Sequence, residues 1–156
     1  MKLVIVAVGT RMPSWVDEGF AEYAKRMPGR LPLALVEVKP EPRAEGKPVA
    51  RMLETEAERI RSALPRGSAT VALDERGRDM DTQAFAKTLQ RAQGDGRDLA
   101  FVIGGPDGLA PAIKSESQLL LRLSSMTLPH GLARVLLAEQ LYRAVSMLGN
   151  HPYHRE

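Results

Sequence analysis

Three histidines, His130, His151 and His154, lie in the last 27 residues of a 156-residue chain, together with Arg134, Arg143, Tyr153 and Arg155. Imidazole titrates near neutral pH and guanidinium stays charged, so the group suits moving a proton and steadying an anion that develops beside it. Each residue alone has a plainer reading: a helix-start His130 caps or packs, and a tail such as His151-Pro-Tyr-His-Arg155 frays. Crowding is what favours chemistry. A metal is not expected, because the chain has no cysteine and no carboxylate pair accompanies His151 and His154 in a zinc-like spacing.

A second feature is Gly104-Gly-Pro-Asp-Gly108, where adjacent glycines let the backbone approach a ligand closely. It is not the G-x-G-x-x-G dinucleotide fingerprint, and no G-x-x-x-x-G-K-[ST] phosphate loop or G-x-S-x-G nucleophile elbow occurs. Kinase-like, ordinary dehydrogenase and serine hydrolase readings therefore lose support.

The elements that must position these residues follow from periodicity. Leu3 to Val8 is a continuous apolar run ended by Gly9, as expected of a strand covered on both faces. Ser14 is expected to cap a helix to about Met27, Leu33 to Val38 is a second strand, and Lys39 to Pro48, with three prolines, reads as a mobile surface loop. Val49 to Leu64 is a helix with Met52, Leu53, Ala57, Ile60 and Leu64 inward, and Ala69 to Leu73 a third strand. Asp81 caps a helix to about Gln93, and Leu99 to Ile103 is a fourth strand. Alternation at this spacing predicts an α/β fold with a parallel sheet, whose ligands sit beyond the carboxyl ends of strands, here after Leu73 and Ile103. A short ambiguous piece and Leu119 to Leu128 follow, then a long helix from Pro129 to about Leu148, with Leu137, Leu141, Ala144, Val145 and Leu148 as its buried stripe.

At roughly 150 residues per domain the length predicts one unit, residues 1–156. Twenty-two Lys and Arg against 19 Asp and Glu give a formal charge of +3, and the isoelectric point is near 9.4. That excess permits an anionic partner without requiring one. Aromatic residues are 4% of the chain, too few for a base-stacking sheet. The absence of cysteine, of a secretory pattern and of a long apolar run predicts a soluble, cytoplasmic protein with no membrane partner.

Several motifs, in order and at matching spacing, resemble one family from Met1 to Glu156. They are Leu73-Asp-Glu-Arg-Gly77, Phe101-Val-Ile-Gly-Gly-Pro-Asp-Gly-Leu109, Ser124-Ser-Met-Thr-Leu-Pro-His130, Glu139-Gln-Leu-Tyr-Arg-Ala144 and the closing His151-Pro-Tyr-His-Arg155. They resemble the bacterial ribosomal RNA large subunit methyltransferase H family, of the SPOUT class. The resemblance implies a SPOUT-type sheet with a C-terminal trefoil knot, an exception to the rule that chains do not knot. It implies methyl transfer from S-adenosyl-L-methionine to N3 of a pseudouridine in 23S rRNA, by a homodimer acting on the assembled ribosome.

Carried over residue by residue, the family's cofactor contacts fall on Leu73, Gly105, Ser124, Ser125, Met126, Thr127, Leu128 and Pro129. Such segments offer apolar walls and main-chain donors and acceptors to an adenine. His130, Tyr153, His154 and Arg155 are expected to form the target-side site, with the base left unassigned. Arg143, four residues after Glu139, has an ordinary helix ion pair as its plain reading. A ribosome-binding factor without activity predicts no donor binding, and an enzyme acting on a small nucleotide predicts turnover without RNA; fold alone does not choose between them.

Overall fold

The computed structural model describes residues 1–151 and Tyr153; Pro152, His154, Arg155 and Glu156 lie outside the described residues. In chain order the elements are β1 (Leu3–Val8), α1 (Ser14–Ala24), β2 (Leu33–Val38), α2 (Val49–Ala63), β3 (Ala69–Asp79), α3 (Thr82–Gly94), β4 (Leu99–Ile103), α4 (Pro111–Glu116), β5 (Leu119–Arg122) and α5 (His130–Leu148). The five strands form one sheet in the order β2-β1-β4-β3-β5, and every pairing is parallel.

Alternation along β1 explains the layers. Leu3, Ile5 and Ala7 face one core with Phe20 of α1, Phe85 and Leu89 of α3, and Leu137 and Leu141 of α5. Val4, Val6 and Val8 face the other, with Ala57 and Ile60 of α2 and Ile113 of α4. A strand buried on both faces needs apolar residues at every position, which is why β1 and β4 carry no polar side chain. Phe85 and Phe101 meet edge to face across the larger core, with centroids 5.8 Å apart. Among the described residues no helix is long and apolar enough to cross a membrane.

Several expectations need correction. Ser14 does not cap α1: Pro13 is the cap residue, no side chain caps that end, and the helix stops at Ala24 rather than Met27. Proline's fixed φ already sets the entry geometry there, and the Val16 N–H bonds the Pro13 carbonyl at 2.9 Å. The third strand does not stop at Leu73 but continues through polar residues to Asp79, with a register break between Leu73 and Arg78 in its pairing with β5. Arg122 Nε donates to Asp79 at 2.7 Å, so side-chain charge serves this edge where apolar burial does not. Of the Leu119 to Leu128 stretch, which has no assignment from its residues alone, 119–122 form a strand. The Lys39 to Pro48 segment is not free. Glu41 pairs with Lys47 and Arg59 at 2.8 and 2.7 Å, and Arg43 pairs with the buried Glu56 at 3.1 Å.

Other expectations stand. Asp81 caps α3, accepting from the Ala84 N–H at 2.8 Å. In α5, Leu137, Leu141, Ala144 and Val145 are buried, while Leu148 packs at the margin.

Candidate active site

At the carboxyl ends of β1, β4 and β5, and beside the register break in the middle of β3, lies a cleft of about 890 Å³. Parallel strands place their chain ends and following turns on one side of the sheet, so the cleft position follows from topology. Val8 and Gly9, Leu73 and Asp74, Ile103 to Leu109, and Leu121 to Ser124 contribute its walls. Of the sequence-based donor contacts, Leu73, Gly105, Ser124, Met126, Thr127 and Leu128 line it; Ser125 and Pro129 do not. Ser124 braces the irregular segment by accepting from the Met126 N–H at 2.9 Å, and Pro129 serves as the cap residue of α5. The Gly105 to Gly108 turn is closed by a 3.0 Å main-chain bond.

His130 sits at the mouth of this cleft, where α5 begins. Its Nδ1 bonds the Gly104 carbonyl and its Nε2 meets Arg134 Nε, both at 2.9 Å. A carbonyl only accepts and a guanidinium only donates, so the ring is neutral with its proton on Nδ1. Its single lone pair is therefore already engaged. Arg134 is fully buried and also donates to Glu37 at 2.7 Å and to the Gly9 carbonyl at 2.9 Å. This joins α5 to the ends of β1 and β2. Gly9 has φ +140°, and a Cβ there would stand 3.3 Å from both the Arg134 guanidinium and His130 Nε2. Only glycine suits that crowded, left-handed position.

Burial lowers the His130 pKa below its ordinary 6.5; the Gly104 carbonyl and Glu37 pull it up, and Arg134 pushes it down further. As pH falls, the unfolded chain takes the proton first. The residue's contribution to stability is therefore full above 6.5 and is lost as pH drops through the lowered folded value. We expect the melting temperature of the wild type to fall between pH 7 and pH 5, and that of His130→Gln to fall less over the same interval. Equal slopes in calorimetric scans would contradict this.

Asp74, on the cleft wall, pairs with Lys114 at 3.0 Å. Burial alone would raise its pKa, but the Arg76 N–H and the Lys114 ammonium outweigh it and hold the carboxyl below the usual range.

Tyr153 is not in the cleft. It packs on Tyr142, with centroids 4.7 Å apart, lies under Arg143 and bonds Glu139 at 3.2 Å. Glu139 is nine residues beyond His130, about 13 Å along the helix. One protomer therefore does not bring Tyr153 and His130 together. Burial, then Glu139, push the Tyr153 phenol up to about 12. Arg143 makes the expected helix pair with Glu139 at 2.7 Å, and His154 and Arg155, expected on the target side, lie outside the described residues.

No motif announces the buried charges Arg134 and Glu56, yet their spacing carries a signal. Arg134 stands three and four residues before Leu137 and Ala138, on the stripe that α5 buries. Glu56 stands midway between Met52 and Ile60 in α2. A charge on an apolar stripe must be paired.

Comparisons with known proteins bear on the family and on the fold. A family model described as a predicted SPOUT methyltransferase matches residues 1–154. A ribosomal RNA large subunit methyltransferase H from Ralstonia pickettii is 59% identical over 155 residues, covering 99% of each chain. The protein of that name from Burkholderia mallei is 61% identical over the same span. Among solved structures, a probable methylase family protein from Haemophilus influenzae superposes with a TM-score of 0.58 at 17% identity, covering 97% of this chain and 69% of that one. A methylase family protein from Neisseria gonorrhoeae gives 0.53 at 16%, covering 90% and 81%. The last two speak to fold, the first three to family. With a family model spanning nearly the whole chain and full-length relatives near 60% identity, the chain belongs to the SPOUT methyltransferases and, within them, to the ribosomal RNA large subunit methyltransferase H family.

Proposed function

We propose that this chain transfers a methyl group from S-adenosyl-L-methionine to N3 of a pseudouridine in 23S rRNA of the assembled large subunit, working in the cytoplasm as a homodimer. One observation carries the reading. The segments that the family resemblance assigns to the donor, Leu73, Gly105 and four of the six residues 124–129, converge on one cleft. Its volume, about 890 Å³, suits a nucleoside-sized ligand. Apolar side chains from Val8, Leu73, Ile103 and Leu109 offer walls for an adenine, and the glycine turn offers main-chain donors and acceptors. When bound, the sulfonium supplies an already activated methyl group. The protein's part is to hold the target nitrogen in line with it and to steady the imide anion that forms as the N3 proton leaves.

His130, Tyr153, His154 and Arg155 are the proposed target-side residues. His130, neutral and clamped between Gly104 and Arg134, positions the cleft mouth. Tyr153 keeps its proton until far above neutral pH and so acts as a hydrogen-bond donor rather than a base. Its distance from His130 within one chain favours a dimer in which the tail of one protomer meets the cleft of its partner. The trefoil path belongs to the same reading. What supports it is the return of the chain, after edge strand β5, to the Gly104 carbonyl at the end of central strand β4.

Mass spectrometry of rRNA from unmodified ribosomes, before and after incubation with protein and donor, tests the reaction. One added methyl on a single pseudouridine is expected; unchanged rRNA with a donor-binding protein would refute it. Tyr153→Phe should slow single-turnover methylation about tenfold or more by removing one donor, with donor affinity and the shape of the pH profile kept. An unchanged rate would remove Tyr153 from the target side.

A further inference from the structure

The 39–48 segment touches the site through one side chain. Arg43 Nε donates to Asp107 at 2.7 Å, its Nη1 donates to Glu56 at 3.1 Å, and the same Nη1 donates to the Glu41 carbonyl at 2.7 Å. Glu56 is 2% exposed, and its Oε2 also accepts from the Glu41 N–H at 2.9 Å. Its other oxygen, Oε1, has no partner among the described residues. At the far end, Asp107 belongs to the Gly104–Gly108 turn, and both Asp107 and Pro40 line the cleft. Arg43 thus links a buried anchor on α2 to the turn that lines the cleft.

The rest of the segment is fixed independently of the turn. Glu41 is held by Lys47 and Arg59, and Arg59 Nη1 donates to the Lys39 carbonyl at 3.0 Å. Proline at positions 40, 42 and 48 narrows the backbone further. A stiff segment with a buried anchor can add a side-chain tie to a glycine turn otherwise held by the Gly108 N–H on the Gly105 carbonyl and by His130 on the Gly104 carbonyl. An ion pair as exposed as Arg43 with Asp107 adds little to folding, so its placement points to the turn rather than to stability.

We propose that Arg43 is a positioning residue for the donor cleft: by bridging Glu56 to Asp107 it straps the 39–48 segment to the Gly104–Gly108 turn and sets how tightly that turn holds the donor. This rests on the reading that S-adenosyl-L-methionine occupies the cleft.

The test is titration calorimetry with S-adenosyl-L-methionine on the full chain, for wild type, Arg43→Gln, Asp107→Asn, the double variant and Lys25→Gln, which loses only a surface pair with Glu22. Asp107→Asn leaves the Arg43 pair with Glu56 in place and so protects against a folding defect. Each single change at the strap should weaken binding roughly twofold to fivefold, the most that one partly exposed ion pair can pass on to the turn it holds. The double variant should be no worse than the weaker single, and Lys25→Gln should match wild type. Amide hydrogen exchange at residues 105, 107 and 108 should quicken in both singles. In turnover the loss should fall on the donor KM and not on kcat, a split that loss of folded protein does not give.

Wild-type affinity in both singles, losses that multiply in the double variant, or unaltered exchange in the turn would each overturn the strap. Multiplying losses would instead mean that Asp107 touches the donor directly. Failure of the wild type to bind donor would overturn the donor reading itself, and the inference with it, whereas exchange reports on the strap without any ligand.

Discussion

Arg134→Met is expected to cost roughly 3 kcal/mol of folding stability, read from urea unfolding at pH 7. Methionine matches the arginine stem in a site with no solvent exposure, so the loss isolates the charge and its donors. Three acceptors are stranded together: the Gly9 carbonyl, Glu37 and His130 Nε2. Burial of an acceptor without a donor is costly, and a carboxylate more so. Glu37 keeps a side chain 35% exposed and can turn toward water, which holds the loss below that of a wholly buried pair. For the same reason Glu37→Gln should cost less in the Arg134→Met background than in wild type. A loss below about 1 kcal/mol would mean the guanidinium gains no more from its partners than it loses in desolvation.

Gly77→Ala should be as damaging, by a different route. Its Cβ would lie 2.7 Å from the Leu121 carbonyl carbon and 2.8 Å from the Leu120 carbonyl carbon and the Leu121 nitrogen. These are backbone atoms of the adjacent strand, which cannot swing aside as a flexible side chain can. The two strands must part where their register already breaks. We expect a loss of about 3 kcal/mol or outright failure to fold. Any folded protein should show weakened donor binding, because Leu73 and Leu121 on these strands wall the cleft. Gly94→Ala is the matched control. It sits in the last turn of α3 with nothing within 4 Å of the added methyl, and should be neutral or stabilising by up to about 1 kcal/mol. If both variants melt alike, close strand approach at Gly77 is not what the sequence protects.

Much of this architecture is legible in the chain because burial leaves a pattern. β1 and β4 are unbroken apolar runs, Asp81 announces α3, and the stripe from Leu137 to Val145 announces α5. Strand order is not legible in this way, since a crossover helix can deliver the next strand to either side and local residues do not record which. The polar half of β3 is hidden too. Asp74 to Asp79 is held by the neighbouring strand and by Arg122, and its own side chains do not ask for a sheet. Likewise the 39–48 segment looks loose by composition, and its ties run to Glu56 and Asp107, residues 13 and 64 positions away from Arg43. For the site, the motifs locate most donor-side segments, but the neutral state of His130 follows only from seeing both ring nitrogens engaged.

Strand order also has a consequence for synthesis. β1 lies inside the sheet, and the neighbour on its inner edge is β4, with Leu3 opposite Leu99. Translation at about 5 to 20 residues per second leaves that edge without its partner for roughly 5 to 20 s. Even after β2 has been made and paired, a wholly apolar strand then waits with the hydrogen-bonding groups of its inner edge unmatched, a template for another nascent chain. Cotranslational chaperones should therefore crosslink most strongly to chains stalled before residue 99, and release those stalled well beyond residue 103.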